Sequence, residues 1–373
     1  RPMAVLKGYY QKLLDEVDVK INGTRPWDIA IKNSKMFRRI LFKGSLGLGE
    51  SYMDGWFDCE QLDVFFEKIL SKGIDYKAGS IPAFLAMVRS RLTNLQSISR
   101  AYMVGEKHYD IGNDLFSVML DKRMIYTCGY WPKEVENLEE SQKAKLDLVA
   151  KKLNLKPGMK VLDIGCGWGG AAKYFAETHN VRVVGITISK EQASLARETC
   201  AGLDVDIRLS DYRELNEKFD AIYSIGMFEA VGYKNYRKYF KVVRHCLKKE
   251  GIFLLHTIGV DESTTATDPW VQKYIFPNGM MPSSRQITGA IEGLFKIDDW
   301  HNFGPDYDKT IMCWHKNFTK HYQSLKHNYD ERFFRMWTYW LLLSAASFRS
   351  RSNHLWQILL SHPGSNNLTN AFR

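Results

Sequence analysis

No apolar run among the 373 residues approaches the ~18 to 20 needed to span a bilayer, and no charged-then-apolar leader opens the chain. Neither a transmembrane helix nor a signal peptide is therefore expected. Paired cysteines are missing too. The six present (Cys59, Cys128, Cys166, Cys200, Cys246 and Cys313) are scattered, with no C-x-x-C spacing, which excludes a disulfide framework and points to a reducing cytoplasm. The ten histidines show no H-E-x-x-H or comparable spacing, so no structural metal is expected. Net charge is +10, yet no zinc finger, RNA-binding aromatic signature or basic run accompanies it. That leaves an anionic membrane surface as the better-matched partner, with an ordinary solvated surface as the alternative. An aromatic share of 13% is somewhat rich, and the length allows one to three domains.

The most informative stretch is Val161-Leu162-Asp163-Ile164-Gly165-Cys166-Gly167-Trp168-Gly169-Gly170. Lys160 to Ile164 reads as a short buried strand rising out of the Pro157-Gly158 turn. The glycines let the backbone turn sharply and approach a ligand without a Cβ between them. An apolar helix follows through Ala171, Ala172, Tyr174 and Phe175, its N-terminal amides facing back into the turn. Strand, glycine turn and helix together open a nucleotide-type site at the carboxyl edge of a parallel sheet, so an adenosine-bearing cofactor is expected.

Gly165, Gly167 and Gly170 also satisfy G-x-G-x-x-G, the dinucleotide pattern. Its partner would be an acidic residue ending the second strand, but Val181 to Ile188 ends Thr187-Ile188-Ser189, and the first carboxylate is Glu191 in the next helix. Asp163 instead stands just before the first glycine. A carboxylate there suits the cationic amino-acid end of S-adenosylmethionine and would repel a pyrophosphate. The methyl donor is favoured over NAD or FAD.

Met3 to Val17 reads as an amphipathic helix. Ile21 to Ile31 reads as a small hairpin or irregular piece. Arg38 to Phe42, then Gly44, Gly47 and Gly49, read as a loop delivering Glu50 to Trp56, and Asp63 to Leu70 as a helix closed by Gly73. Residues 1–80 are thus expected to form a small, mainly helical N-terminal domain. A helix from Pro82 to about Leu95, with Arg89 and Arg91 on its polar flank, serves residues 81–103 as linker or interfacial helix. Residues 104–373 are expected to form the catalytic domain.

In that domain Asn137 and Glu140 frame the start of a helix to about Leu153, and Ser189 and Gln192 form an S-x-x-Q box for a helix to Cys200. Further strands are expected at Val205 to Leu209, Phe219 to Ser224 and Ile252 to His256, with a helix from Asn235 to Lys248 ended by Gly251. Strands alternating with helices predict an α/β fold, a parallel Rossmann-like sheet with helices on both faces. Function should collect at the strand tips, where Glu229 and His256 end consecutive strands. From Pro269 onward the chain is aromatic (Trp270, Tyr274, Phe276, Trp314, Phe333, Phe334, Trp337, Tyr339, Trp340), material for half of a hydrophobic lid or pocket, or for an ordinary core.

Several strings resemble the bacterial cyclopropane-fatty-acyl-phospholipid synthase family. They are Glu-Lys-His-Tyr-Asp-Ile-Gly-Asn-Asp-Leu-Phe (106–116), Tyr-Thr-Cys-Gly-Tyr-Trp (126–131), the glycine turn, Gly-Ile-Thr-Ile-Ser (185–189), Gly-Met-Phe-Glu (226–229), Leu-Leu-His-Thr-Ile-Gly (254–259) and Phe-Pro-Asn-Gly (276–279). Ser-Leu-Gly-Leu-Gly-Glu-Ser-Tyr-Met-Asp-Gly-Trp (45–56) resembles that family's N-terminal domain, and mycolic-acid cyclopropane synthases resemble only the later part. The resemblance implies a class I methyltransferase fold and a defined reaction. The cis double bond of an unsaturated acyl chain, esterified in a phospholipid, attacks the methyl of S-adenosylmethionine. A base then removes a proton from the new methyl, and the ring closes. The intervening cation demands a dry pocket, where aromatic faces contribute ~0.5 to 2 kcal/mol each.

The resemblance further implies that the base is a bound bicarbonate. Cys128 and Ile258 would hold it mainly through backbone amides, and Glu229, His256 and Tyr307 through side chains. For the methyl donor it implies Tyr126, Thr127, Asp163, Gly165, Cys166, Gly167, Thr187, Gln192, Asp211 and Tyr212, with Tyr109 in addition. Expected partners are an anionic phospholipid bilayer surface with its unsaturated acyl chains and a second copy in a homodimer, with no nucleic acid; the expected location is the cytoplasmic face of the membrane. Two positions depart from the family pattern: Ala230 stands where relatives usually carry histidine, and Ser344 where a cysteine is expected. Rival readings are a sister lipid methylation without ring closure, a small-molecule O- or N-methyltransferase, and a lipid-surface binding protein with an inactive site.

Overall fold

The computed structural model describes residues 2–72 and 111–366. The expected helix from Pro82 to Leu95 with Arg89 and Arg91, the closing Gly73 and Tyr109 lie outside the described residues. The described chain divides into two compact units. One gathers residues 2–72, 265–277 and 311–353; the other gathers 111–264, 278–310 and 354–366.

The first unit is mainly helical, with helices Pro2–Asp15, Lys35–Lys43, Ser45–Met53, Leu62–Ser71, Pro269–Tyr274 and Glu331–Arg349. Its only described sheet pairs β1 (Ala30–Ile31) with β2 (Phe57–Asp58). The glycines at 47 and 49, expected in a loop, lie inside the helix Ser45–Met53. Close packing selects them: a Cβ on Gly47 would stand 2.4 Å from the Arg39 carbonyl, and one on Gly49 would stand 2.3 Å from the Trp270 ring. Every aromatic residue singled out from Pro269 onward belongs to this unit. Trp270, Trp337 and Tyr339 are 1% exposed, with Tyr339 packed against Trp270, Tyr52 and Phe66 at ring separations of 4.5, 5.6 and 5.0 Å. These three and Trp314 are core, and Tyr274, Phe276, Phe333, Phe334 and Trp340 are half-buried.

The second unit is an α/β sheet of seven strands: β3 (Lys160–Ile164), β4 (Arg182–Thr187), β5 (Val205–Leu209), β6 (Phe219–Ile225), β7 (Leu247–Val260), β8 (Lys296–Asn302) and β9 (Asn353–Ser361). Their spatial order is β5-β4-β3-β6-β7-β9-β8, with β3 to β7 parallel and β8 antiparallel to β9. Alternation along β3 feeds two cores. Leu162 and Ile164 join the cluster holding Val184, Ile186 and Phe240, whereas Val161 joins that of Val183, Phe175 and Leu146 on the opposite face. The strand order reverses at β3, between β4 and β6, which places the glycine turn at the switch point.

Two differences from expectation concern this sheet. The helix expected to run to Lys248 ends at Cys246, and β7 begins at once. Gly251 lies within β7, where a Cβ would come 2.5 Å from Leu247 Cδ1 and 2.9 Å from the Asp220 carbonyl. Strands β8 and β9 were not anticipated, because Lys-Ile-Asp-Asp-Trp-His-Asn carries no apolar alternation.

Candidate active site

The turn after β3 is tied to β4 by the Gly165 and Cys166 amides, both donating to the Ile186 carbonyl at 2.9 Å. Gly165, Gly167 and Gly169 all take positive φ (81°, 57° and 87°), which side chains resist. A Cβ on Gly165 would stand 2.8 Å from Met227, so the turn can seat against the end of β6 only as glycine. A Cβ on Gly167 would instead enter open space, the side on which a ligand over the turn would lie.

Asp163 is buried beneath this turn, its Oδ2 accepting the Tyr223 hydroxyl at 2.8 Å. Burial pushes its pKa up to about 7, against the pull of the tyrosine hydrogen bond and the Lys145 ammonium. At the tip of β4, Thr187 donates to Gln192 Oε1 at 3.0 Å, and Ser189 caps the next helix by accepting from the Gln192 amide at 3.2 Å. The capping motif is thus half used for capping, because the Gln192 side chain turns to Thr187. Beyond β5, the Ser210 amide donates to the Thr187 carbonyl at 3.0 Å, which sets Asp211 and Tyr212 beside that tip. The Asp211 carboxylate is engaged by Arg213, whose Nε approaches Oδ1 at 2.8 Å. Tyr212 is buried and its hydroxyl has no protein partner.

The strip 126–131 is fixed from the helix Leu138–Leu153. Lys145 Nζ donates to Thr127 Oγ1, and Gln142 Nε2 donates to the Thr127 carbonyl at 2.8 Å. Tyr126 packs on Phe116 at 5.1 Å, and Phe116 on Trp168 at 4.9 Å, which links the strip to the glycine turn. The other end is held by the helix Pro305–Leu325. Thr310 Oγ1 accepts from the Gly129 amide and from Trp131 Nε1, both at 3.0 Å.

Glu229 and His256 do not end their strands as expected. His256 lies inside β7, paired with Ile225 at the end of β6, and Glu229 sits past β6 in the short turn Phe228–Ala230. The Gly226 amide donates to the His256 carbonyl at 3.0 Å. Glu229 Oε1 accepts the Ile258 amide at 2.7 Å, so the amide expected to serve an anion is engaged by the glutamate. Two positions apart on β7, His256 and Ile258 face the same way. His256 is buried and Glu229 half-buried with its Oε2 enclosed. Desolvation raises the Glu229 pKa and drives that of His256 well below its ordinary value, and Lys145 and Lys152 depress His256 further. Glu229 Oε2 and His256 Nε2 have no protein partner. Tyr307 is buried close by; burial raises its pKa first, followed by the fields of Cys128, Glu229 and Tyr126. Cys128 is wholly buried, which pushes its thiol far up and makes it a poor nucleophile. Ala230, next to Glu229, is exposed; Ser344 is buried in the first unit.

The structure therefore places Asp163, the glycine turn, Thr187, Asp211 and Tyr212 in or just after β3, β4 and β5, Glu229 just after β6, and His256 and Ile258 in the last part of β7. Tyr126, Thr127 and Cys128 lie on the strip 126–131 and Tyr307 on the helix Pro305–Leu325. Sequence reasoning missed Gln142, Lys145, Lys152, Thr310 and Gln357. Only the first three left a trace, as polar residues on a helix face otherwise carrying Leu146, Val149 and Leu153. Among the described residues no cluster could hold a metal ion, and no helix is long and apolar enough to cross a membrane.

A family model described as mycolic acid cyclopropane synthetase matches residues 96–358. The cyclopropane-fatty-acyl-phospholipid synthase of Escherichia coli (strain K12) is 54% identical over 358 residues, covering 96% of this chain and 94% of its own. Tuberculostearic acid methyltransferase UfaA1 of Mycobacterium tuberculosis is 32% identical, covering 88% and 81%. Among solved structures, the cyclopropane synthase MmaA2 from Mycobacterium tuberculosis superposes with a TM-score of 0.66 at 28% identity, covering 72% of this chain and 99% of its own. Mycolic acid cyclopropane synthase CmaA1, complexed with SAH and CTAB, superposes with a TM-score of 0.65 at 28% identity, covering 69% and 97%.

Proposed function

The chain belongs to the mycolic acid cyclopropane synthetase family, and we propose that it acts on unsaturated acyl chains still esterified in membrane phospholipids, with bicarbonate as proton acceptor. It is an S-adenosylmethionine-dependent methyltransferase that makes cyclopropane fatty acyl chains. The phospholipid reading is supported by the 54% identical relative, whose name specifies that substrate.

The observation that carries the proton-acceptor reading is the pair of buried, unpartnered atoms Glu229 Oε2, in the turn after β6, and His256 Nε2, on the neighbouring strand β7. Unmade hydrogen bonds at buried polar atoms are costly, so such a pair calls for a ligand that answers both. A carboxylate oxygen accepts and a neutral imidazole N–H donates. Bicarbonate offers one hydroxyl to the first and an oxygen to the second; an anion without a hydroxyl satisfies only the histidine. The residues present fit the group. The glycine turn with buried Asp163 likewise fits the amino-acid end of the methyl donor, since an ammonium there draws the carboxylate back to its charged form.

When bound, S-adenosylmethionine supplies an electrophilic methyl group and bicarbonate a proton acceptor. The chain supplies positioning and dryness. Thr127 and Gly129 are pinned from two helices, so the strip 126–131 holds its place beside the donor site. Tyr130 and Phe303 pack at 5.3 Å, and Phe303 lies 6.2 Å from the His256 ring, so aromatic surface screens the histidine from water. Water excluded from the site cannot trap a cationic acyl chain as an alcohol. Buried, neutral His256 donates without adding a positive charge that would oppose that cation.

The test uses vesicles of unsaturated phospholipid, S-adenosylmethionine and purified protein, with mass spectrometry of the released acyl chains. A gain of one methylene with loss of the double bond is expected. A gain with the double bond retained or shifted assigns the sister methylation instead. No gain while the donor binds overturns the reading.

A further inference from the structure

His256 does not meet the site alone. Its Nδ1 lies 3.2 Å from Gln357 Nε2, and Gln357 Oε1 lies 2.7 Å from Lys152 Nζ. All three side chains are buried at 1% exposure. Lys152 also contacts His301 Nδ1 at 3.0 Å, and His301 is the cross-strand neighbour of Gln357 in the β8–β9 register. Lys152 thus reaches both members of one strand pair from the helix Leu138–Leu153. That same helix carries Lys145, one heptad earlier, to Thr127.

With Lys152 as an ammonium, this chain of contacts has one consistent proton assignment. An ammonium has no lone pair, so it can only donate, and the Gln357 oxygen must face it. The amide is planar, so its NH2 then faces His256 and donates to Nδ1. Nδ1 is therefore the acceptor of a neutral ring, and the single imidazole proton resides on Nε2, the atom without a protein partner. We propose that Lys152 and Gln357 are positioning residues that lock His256 in its Nε2–H tautomer and so present a hydrogen-bond donor, rather than an acceptor, to the anion site. The lock deepens the reaction assigned above and rests on the reading that His256 faces a bound anion.

The chemistry asks for this sense of the lock. An acceptor at Nε2 would repel an anion, and an imidazolium would set a cation beside a cationic acyl intermediate. The neutral Nε2–H form does neither. Strands β8 and β9, which sequence reasoning did not anticipate, thereby acquire a role: β9 delivers Gln357 and β8 delivers His301, the second acceptor that keeps the Lys152 Nζ in place.

The test is nitrogen NMR of the histidine-labelled full chain, ligand-free, in the native protein and in Gln357→Glu. In the native protein the His256 Nδ1 resonance is expected in the unprotonated range and Nε2 in the protonated range. Glutamate at 357 accepts from both neighbours, so the proton is expected to move to Nδ1. Turnover with unsaturated vesicles should then fall about ten- to hundredfold, as it does when outer partners of a functional histidine are lost, with binding of S-adenosylhomocysteine unchanged. Lys152→Met is the second variant: with the amide free to turn, a mixture of tautomers is expected. Protonated Nδ1 in the native protein, an unmoved proton in Gln357→Glu, or a moved proton with native turnover each overturns the proposal. A native protein with the expected tautomer that forms no cyclopropane supports the lock and overturns the functional reading instead.

Discussion

Asp163 shows how a single buried carboxylate burdens the fold that carries it. Its pKa in the fold is about 7 against an ordinary 3.8. Between those values the folded state holds the proton that the unfolded chain has released, so stability falls as pH rises from about 4 to 7 and levels off above. Asp121, pushed up to about 6 by burial, adds to the same slope. A cationic ligand at the proposed donor site would reverse the preference at Asp163, and its binding would expel the proton. Affinity for S-adenosylhomocysteine should therefore rise about tenfold between about pH 6 and pH 8, one proton being released on binding below the pKa. Calorimetric titration checks this. In Asp163→Asn the rise should vanish, affinity should drop, and the ligand-free melting temperature near pH 7 should increase. At Glu229 the sense of the hydrogen bond decides. Glu229→Gln keeps an oxygen for the Ile258 amide but turns the atom facing the site from acceptor to donor. Turnover should fall about a hundredfold or more, the scale of a lost proton-handling contact, with donor binding intact. Unchanged turnover would remove Glu229 from the catalytic set.

At the scale of elements, glycine has two meanings here, and only one was legible. In the turn after β3 a cluster of glycines between an apolar strand and an apolar helix announces a ligand site from local pattern alone. In the helix Ser45–Met53 the same residue type reads locally as a loop, because the reason for it lies at Arg39 and Trp270, the latter more than two hundred positions away. Helix capping by Asn137 and Ser189 was likewise legible, being a matter of three residues. Strand β8 was not, since its polar face and short run acquire a strand conformation only by pairing with β9. The lysines at 145 and 152 could be seen as oddities on an apolar helix face; their partners Thr127 and Gln357 could not. A pair of substitutions separates the two meanings. Gly8→Ala, in the helix Pro2–Asp15 with nothing within 4 Å of the added Cβ, should stabilise by ~0.5 to 1 kcal/mol. Gly49→Ala gains the same helical preference, yet drives a methyl into Trp270, which is buried and packed on Tyr339. A net loss of ~1 to 3 kcal/mol is expected, the usual cost of overpacking. Urea unfolding midpoints decide both signs.

At the scale of the molecule, the proposed phospholipid substrate raises the question of how a protein with no membrane-spanning helix among its described residues would reach acyl chains inside a bilayer. The net charge of +10 would supply long-range attraction to an anionic leaflet, where each Lys or Arg near the surface contributes ~1 kcal/mol. That attraction is screened over a Debye length of ~8 Å at physiological ionic strength, whereas apolar insertion is not. The helix Lys35–Lys43 offers both kinds of contact: Leu41 and Phe42 are 50% and 63% exposed, with Lys35, Arg38 and Lys43 exposed beside them. If charge dominates, co-sedimentation with anionic vesicles should collapse as salt is raised severalfold, while turnover on detergent-dispersed phospholipid stays unchanged. Binding that survives high salt but is lost in Phe42→Ser would assign the anchoring to apolar insertion at that helix. With esterified acyl chains as the proposed substrate, the charge-dominated outcome carries a kinetic consequence as well. Salt should then raise the apparent KM for vesicles and leave kcat untouched, because screening weakens encounter with the surface and does nothing to the buried site beside β6 and β7.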